Sequence, residues 1–163
     1  MSLALGAPQP LAVAHVLDEF TCGEASLDDW LKRRAMTSQL SDTSRTFVVA
    51  DQDGCVHVYY LMAAGAVSHQ IAESGVRRST PDTVPVMVLA RLANDHRAQG
   101  IKLGAALLQD AVNRAVTVSQ NAGVRALFVH ALYDRAKQFY ERYGFQESPQ
   151  HPMTLILRMN AVK

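Results

Sequence analysis

Hydrophobic positions repeat with two different periods along the chain, and the change of period predicts alternating helices and strands. Residues 46–51 and Val56–Ser68 are rich in β-branched and aromatic side chains, and the Asp53-Gly54 pair between them is typical of a hairpin turn. Before this hairpin, apolar residues at helical spacing predict a helix over residues 27–38. Ser26 with an acidic residue three positions later predicts its N-terminal cap.

The middle of the chain continues with a strand and a long helix. Turn-forming residues and two prolines predict a loop over residues 75–85. A nearly continuous apolar run at residues 84–93 is typical of a central strand that is covered on both faces. Apolar residues that step by three or four then predict a long helix from about Leu103, ending at Gly123 as a C-cap.

The last third of the chain predicts two more strands around one helix. The strands are expected at residues 126–132 and 153–159, and the helix between Asp134 as N-cap and Gly144 as terminator. A right-handed crossover is expected from Val86 to Leu132. This order of elements predicts an α/β layered fold with a mixed sheet.

Composition and length are those of one ordered domain spanning residues 1–163. The chain has 48% hydrophobic and 19% charged residues, which is inside the globular range. No window approaches the roughly 18 apolar residues of a membrane span, and the N-terminus lacks the features of a secretory signal. Cys22 and Cys55 belong to no C-x-x-C pair, so no metal is expected. We therefore expect a cytoplasmic protein without a membrane partner.

A net charge of +1 conceals several local clusters of basic residues. Such clusters are either solvated faces or contacts for an anionic partner. The clusters are Lys32, Arg33 and Arg34; Arg77 and Arg78; and Arg91, Arg97 and Lys102.

The last of these clusters lies in the stretch RLANDHRAQGIKLGAALL, where a strand passes through a glycine-bearing loop into a helix. Free backbone N–H groups and the positive end of the helix dipole then converge on one point, which favours an anion. The P-loop pattern is excluded because Gly100 and Gly104 are four apart and Ala105 follows. The dinucleotide pattern G-x-G-x-x-G is also absent.

The same stretch resembles the pyrophosphate loop of the GNAT N-acetyltransferases, whose pattern is Q/R-x-x-G-x-G/A. Arg97, Gly100 and Lys102 occupy the three marked positions, with Lys where Gly or Ala is usual. The late stretch AKQFYERYGF resembles the second signature of the family, a helix carrying a Tyr that is followed by Gly-Phe. Together with LDDWLK, SRTFVV, RRSTPDTVPVMVLARLA and VHALYDRAKQFYERYGF, these stretches resemble the GNAT toxins of bacterial toxin–antitoxin modules.

This resemblance implies a GNAT fold: a mixed, mostly antiparallel central sheet with helices on both faces and a splayed central strand. It implies an acetyl-CoA-dependent N-acetyltransferase that modifies the α-amine of aminoacyl-tRNA and blocks translation. A ribbon-helix-helix antitoxin and a homodimer are also implied. Two alternatives remain open: an acetyltransferase of a small amine or a protein N-terminus, and a catalytically degenerate module that binds acyl-CoA or its antitoxin.

The resemblance also implies the residues of the site. Tyr140 would donate a proton to the departing thiolate, since a phenol with a pKa near ~10 stays protonated at neutral pH. Read without the family, a tyrosine in this position is more often a core aromatic than a catalytic residue. The implied cofactor-binding residues are Leu89, Ala90, Arg91, Leu92, Ala93, Arg97, Gln99, Gly100, Ile101, Lys102, Leu103, Gly104, Ala105, His130 and Lys137. The implied substrate-binding residues are Lys32, Arg33, Arg77, Arg78 and Arg91.

No side chain stands out as a general base, and this favours one class of acceptor. His130 in its strand is as compatible with a structural role as with proton transfer. An α-amino group titrates near ~8, so much of it is neutral without assistance, whereas a lysine amine near ~10.4 needs a base. Arg91, in a strand expected to be buried, would need either an internal ion pair or an RNA phosphate.

Overall fold

The computed structural model describes residues 4–68, 83–99, 103–149 and 151–162. The predicted helices and strands occur in the predicted order along the chain. The helices within these ranges are α1 (Ala25–Arg33), α2 (Ala35–Leu40), α3 (Leu103–Asn121) and α4 (Asp134–Arg142), with 3₁₀ turns at His96–Ala98 and Met159–Ala161. The strands are β1 (Gln9–Pro10), β2 (Arg45–Ala50), β3 (Val56–Ser68), β4 (Thr83–Asn94), β5 (Ala126–His130), β6 (Gln146–Glu147) and β7 (Thr154–Arg158).

The strands within the described ranges form a seven-stranded sheet in the order β1-β2-β3-β4-β5-β7-β6. The pairs β1–β2, β2–β3, β5–β7 and β6–β7 are antiparallel, and β4–β5 is parallel. A parallel pair needs a crossover, which here contains α3. The prediction of a mixed, mostly antiparallel sheet is therefore confirmed, and the two short strands β1 and β6 are additions to it.

The chain divides into two compact units. The first comprises Met1–Ala63 and Arg91–Ala111, and the second comprises Ala64–Ala90 and Val112–Lys163. The core of the first unit joins α1 and α2 to β2, β3 and the end of β4 through nine buried residues: Leu11, Phe20, Leu27, Leu31, Ala35, Val48, Val56, Tyr59 and Ala93. The second unit has a buried cluster on its strands, formed by Val84, Val86, Ala126, Phe128 and Ile156.

The predicted helix over residues 27–38 is in fact two helices that meet at Arg34. Glu24 rather than Ser26 precedes the first helical residue, and no side chain caps this end. The Asp28 carboxylate instead accepts a hydrogen bond from the Cys22 N–H at 2.9 Å, which draws the helix start toward Cys22. In α2, Gln39 accepts from the Thr46 N–H at 2.8 Å and donates to the Leu11 carbonyl at 3.3 Å. These contacts with the strands set the direction of the second helix.

Other predicted ends also shift. Asp134 is the first residue of α4 and Tyr133 is its N-cap, so the cap prediction was wrong. Helix α3 ends at Asn121, whose side-chain amide donates to the Thr117 carbonyl at 2.9 Å. It therefore needs no glycine cap, and Gly123 does not have a positive φ.

The strand boundaries differ by one or two residues from the predictions. Strand β2 is Arg45–Ala50, β5 stops at His130, and β7 is Thr154–Arg158. Strand β4 already begins at Thr83, so the end of the predicted loop at 75–85 belongs to the sheet, and residues 75–82 lie outside the described ranges. Pro85 has no N–H to donate, but its carbonyl accepts the Arg125 N–H at 3.0 Å.

The hairpin prediction is confirmed. The Asp51 carboxylate accepts hydrogen bonds from the N–H groups of Asp53 and Cys55 at 2.9 and 3.0 Å, and Gly54 has φ = +83°. Among the described helices, none combines the length and the apolar character needed to cross a bilayer. The described residues also contain no His/Cys/Asp/Glu group that could hold a metal ion.

Candidate active site

Strand β4 leaves its partner β5 part-way along its length. The parallel register runs from Met87–Leu127 to Leu89–Val129, while β4 continues to Asn94. Beyond Leu89 the exposure of the strand is mixed: Ala90 is exposed, Arg91 and Leu92 are half-buried, and Ala93 is buried. The ladder therefore ends at the first of the predicted cofactor-binding positions on this strand, as a splayed central strand requires.

Asp95, directly after β4, begins a 3₁₀ turn over His96–Ala98. Its side chain is 2% exposed, and Oδ1 accepts the Thr21 N–H at 2.8 Å. Oδ2 accepts both the backbone N–H and the Nε–H of Arg97, at 2.8 and 2.7 Å. Burial acts to raise the pKa of Asp95, but these hydrogen bonds outweigh it and hold the pKa below the usual value. Asp95 is therefore a buried carboxylate anion.

Arg97, the first marked position of the predicted diphosphate loop, is held by carboxylates. Besides its bonds to Asp95, its Nη1 lies 3.4 Å from Glu19 Oε2. The hydrogen bond to Asp95 raises the pKa of Arg97. The Arg97 backbone N–H is likewise taken by Asp95. The described contacts of this residue thus hold the loop in place.

The N-terminus of α3 carries the next predicted residues. Leu103, Gly104 and Ala105 are half-buried, and the first turn contains no acidic residue. A helix of 19 residues has its full dipole at this end, and no acidic residue in this turn offsets the positive potential. Gly100, Ile101 and Lys102 lie outside the described residues. The positive potential at this turn therefore favours the binding of an anion.

Tyr140 lies one turn from the end of α4, and the Gly-Phe pair that follows builds this end. Gly144 has φ = +97°, the left-handed conformation that costs glycine least. Its N–H donates to the Glu141 carbonyl at 3.1 Å, and the Phe145 N–H donates to the Tyr140 carbonyl at 3.2 Å. The Phe145 ring also packs edge-on against Tyr140 at 5.7 Å between centroids. This is a Schellman cap with its usual apolar contact, and it explains why Gly-Phe accompanies the tyrosine.

The Tyr140 ring is enclosed by aromatic neighbours and is 7% exposed. Phe139 packs edge-on against it at 5.4 Å. Burial raises the pKa of Tyr140 above its usual value. Within the described ranges, no residue forms a hydrogen bond with the Tyr140 hydroxyl. The phenol is therefore protonated at every physiological pH, and none of the described side chains takes its proton.

The two other predicted residues of the second unit have partners within their own unit. His130, the last residue of β5, has its Nδ1 2.9 Å from Thr154 Oγ1 on β7. Lys137 on α4 pairs with Glu147 on β6, and this contact raises the pKa of Lys137. Both contacts join neighbouring elements, so a structural role accounts for each side chain as the structure describes it.

The three described basic residues that were predicted to bind the acceptor lie on two elements of the first unit that touch. The Arg91 guanidinium lies 5.2 Å from the centre of the Trp30 ring, a cation–π contact. Trp30 stacks in turn on Tyr59 at 6.1 Å. Lys32 and Arg33 are exposed in the last turn of α1, the helix that carries Trp30. Arg77 and Arg78 lie outside the described residues.

Comparison with known proteins assigns the family. Residues 16–154 match the family described as "Acetyltransferase (GNAT) domain". A tRNA-acetylating toxin of Mycobacterium tuberculosis (strain ATCC 25618 / H37Rv) is 44% identical over 153 residues, covering 94% of this chain and 92% of the relative. This chain belongs to the GNAT acetyltransferase family.

Solved structures of other proteins share the fold. AtaT complexed with acetyl-methionyl-tRNAfMet superposes with a TM-score of 0.89 at 24% identity, covering 97% of this chain and 96% of that one. An AtaT variant bound to the C-terminus of the antitoxin AtaR and to acetyl-CoA superposes with a TM-score of 0.83 at 24% identity, covering 97% and 95%. At this identity the likeness shows the architecture, and it confirms the GNAT fold predicted from the sequence.

Membership of the family makes this chain an acetyl-CoA-dependent N-acetyltransferase. Acetyl-CoA supplies the activated acetyl group. The residues present fit such a ligand, because its diphosphate matches a helix N-terminus that lacks acidic residues in its first turn. The open edge of β4 after Leu89 also fits an extended arm that pairs with a strand.

Sequence reasoning missed two residues that shape this region. Asp95 was passed over, although an Asp that precedes a turn is a common cap. Asp110 on α3 accepts a hydrogen bond from the fully buried Tyr60 hydroxyl of β3. The helical periodicity contained no signal for that bond, because its two partners are far apart in sequence.

Proposed function

We propose that this GNAT acetyltransferase is a toxin that acetylates the α-amine of aminoacyl-tRNA and thereby blocks translation. The observation that carries the proposal is the 44% identity to a tRNA-acetylating toxin over 94% of this chain. A match of this extent covers both compact units, including the strand, the loop and the Tyr140 helix. It also supports treating residues 1–163 as a single acetyltransferase domain.

Tyr140 is the catalytic residue of this proposal, as donor of the proton that the departing thiolate takes. Its hydroxyl is protonated because burial raises its pKa. The Schellman cap and two aromatic neighbours fix its ring. The packed rings hold the phenol in place with its proton on, and because burial makes it a weaker acid, the proton would move only as negative charge develops on the sulfur.

Cofactor binding is proposed at the residues implied by the family signature. The backbone of Leu89–Ala93 would pair with the pantetheine arm and direct an N–H toward the thioester carbonyl. Main-chain amides from Gln99 to Ala105 would hold the diphosphate, and His130 and Lys137 would line the cofactor. The end of the β4–β5 ladder at Leu89 and the first turn of α3 support these assignments.

An aminoacyl-tRNA suits a site that offers no evident base. Its α-amine titrates near ~8 or lower, so it reaches the neutral form without a dedicated base. Lys32, Arg33 and Arg91, with Arg77 and Arg78, would contact its phosphates. The cation–π contact supports this set, because it links Arg91 to the helix that bears Lys32 and Arg33.

The proposed partners follow the same relatives. One solved structure with this fold is an AtaT variant bound to the antitoxin AtaR, and we propose a ribbon-helix-helix antitoxin and a homodimer here. A cytoplasmic location follows from the proposed substrate, because charged tRNA is used there.

The decisive experiment is incubation of the protein with charged bulk tRNA and labelled acetyl-CoA, followed by hydrolysis and identification of the labelled amino acid. We expect label on the α-amine of one or a few amino acids. Activity should fall steeply between low and moderate salt, because tRNA binding depends on phosphate contacts. A free amine that is acetylated equally well at all salt concentrations, with no label on tRNA, would instead identify a small-amine acetyltransferase.

A further inference from the structure

The segment that includes Glu19–Cys22 is hydrogen-bonded to the start of the diphosphate loop. Asp95 is at the centre of these contacts. The Thr21 N–H reaches Asp95 Oδ1 at 2.8 Å, and the Thr21 carbonyl accepts the His96 N–H at the same distance. Gln99 donates through its side chain to the Cys22 carbonyl at 3.2 Å. We name this set of contacts the loop clasp. It lies entirely within the first compact unit.

The clasp uses the groups that would otherwise bind an anion directly. The Arg97 N–H is bonded to Asp95, the Ala98 N–H donates to the Asp95 carbonyl at 2.9 Å, and the Gln99 N–H donates to the His96 carbonyl at 3.4 Å. The Arg97 Nε also bonds to Asp95. The backbone N–H groups of Arg97, Ala98 and Gln99 are therefore all used within the described part of the loop.

Because a buried carboxylate with three hydrogen bonds is costly to disturb, it fixes the backbone that it contacts. Asp95 also donates its own backbone N–H to the His57 carbonyl of β3 at 2.7 Å. The loop start is thus anchored to a strand on one side and to the segment before α1 on the other. The direction in which the chain leaves Gln99 toward α3 depends on both anchors.

We propose that Asp95 is a positioning residue for acetyl-CoA binding, acting through the backbone of Arg97–Gln99, and that the Arg97 guanidinium serves the clasp and is not a phosphate ligand. This inference rests on the proposed cofactor site. It revises the assignments of the Arg97 guanidinium and of the Gln99 main-chain N–H within that site, and it leaves the acceptor undefined.

The test compares Asp95→Asn with Asp42→Asn. Asp42 also pairs with an arginine, Arg45, at 2.5 Å, but both side chains are exposed, so the control makes the same chemical change without a clasp. By calorimetry, Asp95→Asn should weaken acetyl-CoA binding by about tenfold, since it removes a charge-assisted network, whereas Asp42→Asn should have no effect. Unchanged affinity in a folded Asp95→Asn protein would refute the proposal.

A second measurement separates positioning from general damage. S-acetylpantetheine has the thioester but no diphosphate, so it does not need the loop. Its slow turnover should be equal in the wild type and Asp95→Asn, while kcat/KM for acetyl-CoA falls and KM for the acceptor stays the same. An equal loss with both thioesters would show a structural defect and overturn the proposal.

Arg97→Gln is the milder variant and decides the matter if Asp95→Asn does not fold. It keeps the Arg97 N–H bond to Asp95 and removes only the side-chain bonds, so we expect a loss of affinity of about threefold. The dependence of the acetyl-CoA Kd on salt should match that of the wild type. A flatter salt dependence in Arg97→Gln would reveal a direct contact between the guanidinium and the diphosphate, and would overturn the proposal.

Calorimetry with acetyl-CoA needs no acceptor, so the two proposals fail in different ways. If the protein binds acetyl-CoA in the predicted Asp95-dependent way but leaves charged tRNA unlabelled, the role of Asp95 is supported and the proposed substrate is wrong. If it labels tRNA but the Asp95 substitution does not change acetyl-CoA binding, the proposed substrate is supported and the role of Asp95 is wrong.

Discussion

The loop clasp in the first compact unit and the end of α4 in the second each fix a few residues proposed for function, but with opposite kinds of contact. The clasp consists of a buried carboxylate, an arginine and backbone N–H groups. The α4 end consists of packed rings and a glycine in a left-handed conformation. The region proposed to position the diphosphate loop is thus built from charge, and the region around the proposed catalytic phenol is built from apolar contacts. The first should respond to pH and salt, and the second should not.

The largest effect is expected at the phenol itself. Tyr140→Phe keeps the ring and its packing but removes the proton, so acetyl transfer to charged tRNA should fall by about 10²–10⁴-fold. The acetyl-CoA affinity should stay within a factor of about two, because no charge is lost, and growth arrest on expression without the antitoxin should disappear. Tyr143→Phe is the matched control on the same helix end, where the side chain is 45% exposed, and it should retain full activity. Full toxicity of Tyr140→Phe would exclude the phenol from the reaction.

The cap should matter next. Gly144→Ala forces a side chain into φ = +97° and should destabilise the protein by about 1–2 kcal/mol in urea unfolding. Because the cap bonds include the Tyr140 carbonyl, kcat should fall more than the acetyl-CoA affinity. Gly123→Ala is the control, since nothing lies within 4 Å of an added Cβ and its φ is not positive. Equal stability of the two variants would show that the left-handed conformation of Gly144 does not contribute to the stability of the α4 end.

These two signatures show what the sequence could predict. Gly144-Phe145 was identified as the helix end because a left-handed cap is a local requirement that residue type reveals. The caps at Ser26 and Asp134 were predicted by the same local logic and were wrong. At α1, a side chain further along the helix reaches back to Cys22 and moves the start of the helix. Local rules succeed where no distant partner competes.

Distance along the chain explains the misses in the site. Asp95 bonds to Thr21, which lies 74 positions away, and no periodicity connects the two. The contact of Arg91 with the ring of Trp30 was likewise not predicted, and the RNA contact expected of Arg91 stays a prediction. The fold was predictable because hydrophobic period and glycine position are repeated signals. The individual contacts were not, because each occurs once.

The charge-based region should lose stability in acid. The pKa of Asp95 is held low in the folded protein, so its contribution to the free energy of unfolding is complete above the usual Asp range. That contribution disappears as the pH falls through the folded-state pKa. In urea unfolding, the free energy of unfolding of the wild type should therefore exceed that of Asp95→Asn clearly at pH 7, and this difference should become smaller near pH ~3. Asp51→Asn should behave likewise, because the hydrogen bond to His57 holds the pKa of Asp51 low. A gap that is constant with pH would contradict the charged state of Asp95.

The smallest expected effect is in the pH profile of kcat, where no loss of activity is expected from ionisation of Tyr140. Because burial raises the pKa of Tyr140, its proton is not lost in the ordinary tyrosine range near ~10. The pH profile of kcat should rise as the acceptor amine becomes neutral and then stay flat. A falling limb that is present in the wild type and absent from Tyr140→Phe would show a more acidic phenol than the apolar surroundings allow.

Trp30 is the only tryptophan in the chain, and its indole contacts both Tyr59 and the Arg91 guanidinium. The emission of an indole is sensitive to a nearby cation and to water. The chain thus contains a built-in optical reporter at the side chains proposed to meet the acceptor, so titration with charged tRNA can be followed by intrinsic fluorescence without any label. Arg91→Met, which removes the cation but keeps an apolar stem, would calibrate how much of the signal comes from the guanidinium.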